Sequence, residues 1–169
     1  MARSDMEIHF ARIDKLVQEM NQFVPEGTHG SADFRAELAG LLVVAIASTY
    51  ESCVKEILIA HASAKHEDFE VFVSNNFSKL NSKIAEKDLC AYTKTFGPSI
   101  HANFTRRLQK RKNAINGKLG KNICTHYKQI LAWRHDYAHA GLKNTTITEA
   151  VSFHMYAKRV ILCFDEAFA

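Results

Sequence analysis

The sequence predicts an all-α fold, an up-and-down helical bundle of four to five main helices, and three observations predict it. Apolar residues recur at helical spacing through most of the 169-residue chain. Capping and breaker residues bracket those runs. No stretch of useful length alternates apolar and polar side chains as a half-buried strand would. Composition agrees: apolar residues make up 47% and charged residues 24%, with only two prolines and seven glycines, close to a soluble globular average with long helices. A chain of this length suits one domain over residues 1–169, large enough to bury a core without metals or disulfides.

The first helix is signalled by "SDME", an S-x-x-E capping pattern with Ser4 as N-cap and Glu7 reaching back. Ile8, Ile13, Leu16, Val17 and Met20 follow at helical spacing, and Pro25 and Gly27 set an end near Phe23. After a turn around "PEGTHGS", a second helix runs over about residues 33–64. Its centre "LLVVAIASTYESCVKEIL" is apolar over much of its circumference, which places it inside the bundle. Two shorter helices, "EDFEVFVSNNF" and "EKDLCAYTKTF", are separated by a polar turn near Asn81 and Ser82 and stopped by Gly97 and Pro98. "PSIHANFTRRLQKRKN" starts a helix at Pro98 and ends it on a basic tail, before a loop "NGKLGKN". "ICTHYKQILAWRHDYAHAG" is helical again, with Gly141 as the left-handed C′ residue. "TITE" offers a second capping box, Thr146 with Glu149, opening a last helix through Ala150, Phe153, Tyr156, Val160, Ile161 and Phe164. No internal repeat or low-complexity segment appears.

Net charge is +4, unevenly placed. Residues 89–135 hold ten bases and no acid, whereas residues 1–88 hold nine bases against fourteen acids, a net of −5. A regional excess of base is the electrostatic footprint of a polyanion-binding surface. Arg106, Arg107, Lys110, Arg111, Lys112, Lys118 and Lys121 are the candidates for it, against the alternative of a solvated helix face. Cys53, Cys90, Cys124 and Cys163 form no CxxC pair, and nothing at the N-terminus resembles a signal peptide. They read as reduced, mostly buried thiols of a cytoplasmic protein. The longest uncharged stretch, residues 38–50, falls short of the roughly 20 residues that cross a bilayer, so no membrane association is expected.

Glu51 interrupts an apolar face, with Val44, Ala47, Val54 and Lys55 three or four residues away or at the next turn. An unpaired carboxylate there is costly, so a partner on another helix is expected, Arg134 first. The alternative turns Glu51 outward onto Lys55. Arg134 itself opens the densest polar stretch, "WRHDYAHAG". Arg134 and His139 are five apart, about 140° from each other around a helix, so one helix does not focus both on one atom. A two-fold dimer through the helix end would bring a second copy of the pair to a shared groove. Two Arg and two His around one phosphate suit RNA cleavage. Neutral and protonated His139 from two subunits supply the base for the ribose 2′-OH and the acid for the leaving 5′-oxygen, since an ordinary His titrates near pH 6.5. Arg134 supplies permanent charge for the transition state.

R-x4-H, read as Arg134-His135-Asp136-Tyr137-Ala138-His139 near the end of the penultimate helix of a small all-α chain, resembles the signature of the HEPN superfamily. The polar residue often found directly after the Arg is His135. The frame is similar too: an early apolar helix bearing "YESCVKEI", then "LAWRHDYAHAG", then a Thr-capped final helix. The likeness covers about residues 30–168 and is closest to the RiboL-PSP branch. It implies a bundle that dimerises through the motif and, in active members, a metal-independent endoribonuclease leaving a 2′,3′-cyclic phosphate with no cofactor. Such proteins are commonly toxins or effectors of bacterial defence, held by an antitoxin or complex partner and acting on RNA such as tRNA or mRNA. Others are non-catalytic modules that bind RNA or protein. Under this resemblance Arg134 and His139 are the catalytic pair, with His135, Asp136 and Glu51 in support. One departure is Gly141, where toxins silenced by a nucleotidyltransferase commonly carry a Tyr two residues after the His; control by tyrosine adenylylation is therefore in doubt.

Rival readings exist for several of these residues. His135 and His139, at i,i+4, have the spacing to chelate zinc with Cys124, His126 or His154, though no HExxH or other firm ligand pattern accompanies them. Trp133 and Tyr137 suit either helix packing or base stacking. His9, His29, His61, His66, His101 and His154 are scattered and read as surface or packing residues.

Overall fold

The computed structural model describes residues 3–27, 31–80 and 83–169, with side chains from Met6 onward. Seven helices follow in order: α1 Arg3–Phe23, α2 Ala32–Ser63, α3 Glu67–Phe77, α4 Glu86–Phe96, α5 Pro98–Leu119, α6 Ile123–Ala140 and α7 Ile147–Phe168. No strand occurs among the described residues. The all-α bundle is as the sequence predicts. Five helices are long, and α3 and α4, at 11 residues each, raise the total above the four to five main ones. Ser4 falls inside α1, and its side chain, like the turn residues Asn81 and Ser82 and part of "PEGTHGS", lies outside the described residues.

The centre of the bundle is α2, α6 and α7, which pack against one another; α1 and α3 lie on α2, and α5 on α7 with α4 against it. Trp133 meets Phe153 and His126 meets Tyr156, so α6 and α7 are antiparallel across their short loop. Tyr50 meets His154 and His61 meets Phe168, so α2 and α7 are parallel. The 32-residue α2 is long and apolar enough to span a bilayer by length and composition, but half of its most apolar window is buried by other helices. Leu42, Val43, Ile46, Tyr50, Cys53, Val54 and Leu58 are its core face. His9 of α1 ties down to α2 through the Glu56 carboxylate at 3.0 Å.

Two boundaries differ from expectation. "NGKLGKN" is not a loop throughout: α5 continues to Leu119 and ends at Gly120, whose φ of 64° is left-handed. Gly117 stays helical, and the left-handed cap falls at the next glycine, Gly120. At Thr146 only half of the capping box forms. The Thr146 hydroxyl accepts from Glu149 N at 3.1 Å, while the Glu149 carboxylate accepts from Thr145 Oγ1 at 3.0 Å rather than reaching back to the N-cap N–H.

Candidate functional site

The motif helix is fixed at both ends by its own sequence. Asn122 Oδ1 accepts from Cys124 N and Thr125 N at the start of α6. At the other end Gly141, with φ of 63°, lets the chain reverse while Gly141 N donates to Tyr137 O and Leu142 N to Asp136 O. His139 therefore stands in the last turn, at the mouth of the α6–α7 loop.

Arg134 is half-buried between α6 and α2, its guanidinium 3.9 Å from the Glu51 carboxylate. This is the partner the sequence expects for Glu51. At that distance it is an ion pair without a hydrogen bond, which leaves the guanidinium fork able to donate to an arriving phosphate. The Asp136 carboxylate accepts from Asn144 Nδ2 of the returning loop at 3.3 Å, and no hydrogen bond or ion pair joins it to Arg134 or His139 among the described residues. His135 and His139 are both exposed and adjacent, ring centroids 4.6 Å apart, as i,i+4 spacing requires. Arg134 and His139 point to different sides of α6, and no hydrogen bond or ion pair joins them among the described residues. One chain thus presents each group near solvent without bringing the two together.

A cluster that the sequence does not reveal positions the motif. Tyr137 donates to Glu37 Oε1 at 2.6 Å, and Lys143 from the loop pairs with Glu37 Oε2 at 2.7 Å. The Lys143 and Tyr137 hydrogen bonds hold the Glu37 carboxyl below its ordinary range, and the same carboxylate raises the Tyr137 phenol. The Tyr137 ring packs against Gly40, where a Cβ would stand 2.2 Å from two ring carbons. Nothing local in "ELAGLL" signals this, since the requirement comes from a ring on another helix. Gly40→Ala is expected to destabilise the fold by about 1–2 kcal/mol, the overpacking penalty exceeding the roughly 1 kcal/mol helix preference of Ala. Urea denaturation measures it, and an unchanged midpoint would mean that Tyr137 swings aside freely.

The remaining candidates are dispersed. Trp133 is buried against Phe153, a packing role. His126 Nδ1 donates to Asn122 O at 2.6 Å and its ring packs on Phe153 and Tyr156. His154 is in the core beside Tyr50. Among the described residues no three His, Cys, Asp or Glu side chains stand close enough to hold a metal ion, so the ligand set suggested for zinc does not converge. His66 caps α3, His61 Nδ1 donates to Phe168 O, and His101 bonds Thr93; His29 lies outside the described residues. All four cysteines are free, and burial raises the Cys53 and Cys124 thiols to about 12 and that of Cys163 to about 11.

The basic segment divides in two. Arg107 and Arg111 both pair with Glu166 of α7, at 3.2 and 2.8 Å, so their charge is partly spent within the bundle, and Arg106 bonds Asn103. Lys110, Lys118 and Lys121 are exposed and Lys112 is half-buried. Lys118 and Lys121 flank the start of α6 at Ile123, which is about 24 Å along the helix axis from His139.

Comparison with known proteins adds one finding. The family model described as RiboL-PSP-HEPN matches residues 9–169, from within α1 to the end of the chain. No curated protein and no solved structure matches. A match over nearly the whole length of an all-α bundle, carrying Arg134 and His139 at the end of its penultimate helix, establishes the assignment: the chain belongs to the RiboL-PSP-HEPN family.

Proposed function

We propose that this protein is a metal-independent endoribonuclease of the HEPN type, a cytoplasmic toxin or defence effector that acts as a homodimer. The observation that carries this is the family match together with the placement of an exposed His139 and a solvent-reachable Arg134 on either side of one helix end. In a two-fold dimer through that end, His139 of one protomer takes the 2′-OH proton as the oxygen attacks the adjacent phosphorus. The partner's His139 gives a proton to the departing 5′-oxygen, and the two Arg134 side chains hold the charge that gathers on phosphate. The products are a 2′,3′-cyclic phosphate and a free 5′-hydroxyl, and no water or metal enters the step.

The test is incubation of the purified protein with total RNA in EDTA, mapping cut positions and end groups. Cyclic phosphate ends in chelator are the expected result. A second reading is favoured by the Glu51–Arg134 ion pair: a non-catalytic module that binds RNA or a protein partner such as an antitoxin, with Arg134 in a structural role. It predicts intact RNA in the same assay and no growth arrest on expression in a bacterial host. Activity seen only without EDTA would overturn metal independence.

A further inference from the structure

A groove between α4 and α6 holds groups that the cleavage step leaves unused. It encloses about 650 Å³, and Cys124, Tyr127, Leu131 and Ala132 form its apolar wall. Lys87, Lys112 and Lys128, from three different helices, also line it, and none of them is in an ion pair among the described residues. Glu86 adds a carboxylate at one edge. The Cys124 thiol is held neutral, first by burial and then by Glu86, so it serves as apolar surface rather than as a nucleophile. Cations around an apolar wall are the complement of a nucleotide, whose base is flat and apolar-faced and whose phosphate is anionic.

The groove also points somewhere. At 100° per residue, positions 124, 128, 131, 132, 135 and 139 fall within about 100° of arc on one side of α6. The wall of the groove therefore runs on along the helix into the His135–His139 pair. At its other end Asn122 lines the groove, next to the exposed Lys121 and Lys118. From Ile123 at the start of α6 to His139 the helix rises about 24 Å, a path that several nucleotides of an extended strand cover.

We propose that this groove is a subsite for single-stranded RNA. One unstacked base rests on the Leu131 and Cys124 wall, flanking phosphates meet Lys112, Lys128 and Lys87, and the strand follows α6 to the histidines. The subsite rests on the nuclease reading and supplies what that reading lacks within one protomer, a connection between the basic segment and His139. Single strands are favoured over duplex because the concavity takes a base face, which a duplex conceals.

Binding of fluorescein-labelled single-stranded RNA, followed by anisotropy in EDTA on a His139→Ala background to keep the RNA intact, tests it. Lys112→Glu with Lys128→Glu is expected to weaken binding about tenfold and to lower the slope of log affinity against log salt by about 1.4, the loss of two single-strand phosphate contacts. The pair Lys112→Ala and Lys128→Ala should fall in between, and Lys15→Glu, on exposed α1 surface, should bind as the parent does. Circular dichroism melting shows whether each variant is folded. Parent-like affinity in both lysine pairs, failure of the parent to bind single-stranded RNA, or equal competition by polyglutamate would overturn the subsite. The two proposals fail separately. If the wild-type protein cuts no RNA yet the lysine pairs lose binding, the nuclease is wrong and the groove stands; if it cuts and the lysine pairs bind and cut as the parent does, the groove alone is wrong.

Discussion

His139→Ala is expected to slow RNA cleavage by about 10⁴-fold or more, because in a two-fold site one substitution removes both the general base and the general acid, each worth roughly 10²–10⁴. The fold should not suffer. His139 is exposed and its ring packs against that of His135 on the helix surface, so the melting temperature and the oligomeric state should match the parent's. Arg134→Lys is the companion variant: charge is kept but the planar fork is lost, and the rate should fall by about 10²–10³, the scale of one transition-state donor. Single-turnover cleavage of a mapped RNA measures both. A His139→Ala protein that cuts at the parent's rate would end the mechanism, whatever the Arg134 variant did.

Acidification from pH 7 to pH 5 is expected to remove about 2 kcal/mol of stability through His154 alone. Its side chain is buried at 3% exposure. Nδ1 lies 2.8 Å from the Tyr50 hydroxyl of α2, the ring packs against that of Phe10 of α1, and Nε2 has no hydrogen-bond partner among the described residues. Burial, and secondarily Lys158 on the same helix, push its pKa down to about 3, against about 6.5 in an unfolded chain. Between those values the unfolded state binds the proton and the folded state does not. Stability is therefore complete above about pH 6.5 and is lost progressively as the pH falls toward 3. Urea denaturation of the wild-type protein and of His154→Phe at the two pH values isolates the effect. The Phe variant keeps a ring in the core and should lose about 2 kcal/mol less between pH 7 and pH 5. Identical losses would show that His154 is not the titrating group.

Much of the architecture could be read from the chain because helices are local. Periodicity, Pro98, Gly97 and Gly141 set the helix bounds from within a few residues. The end expected at "NGKLGKN" was misplaced because two glycines compete to stop a helix and only the second takes the left-handed conformation. Glu51 was legible for a different reason: a carboxylate on an apolar face must find a cation. Gly40, Glu37 and Lys143 gave no such sign. Glu37 and Lys143 look like surface charges and Gly40 like a weak helix position until α6 packs on α2 and brings Tyr137 onto Gly40 and Glu37, 97 and 100 residues away in the chain.

What the sequence determined by itself is the set of helices, the family resemblance and the identity of the polar groups at the end of α6, since backbone hydrogen bonding, capping and motif spacing are all short-range. Which groups meet was decided only by tertiary packing. It turned Arg107 and Arg111 inward onto Glu166, set Asp136 on Asn144, and laid a lysine-rimmed groove on the same side of α6 as the histidines. Side-chain direction depends on how helices cross, and the crossing is set by shape complementarity across the whole core, which no short stretch of sequence contains.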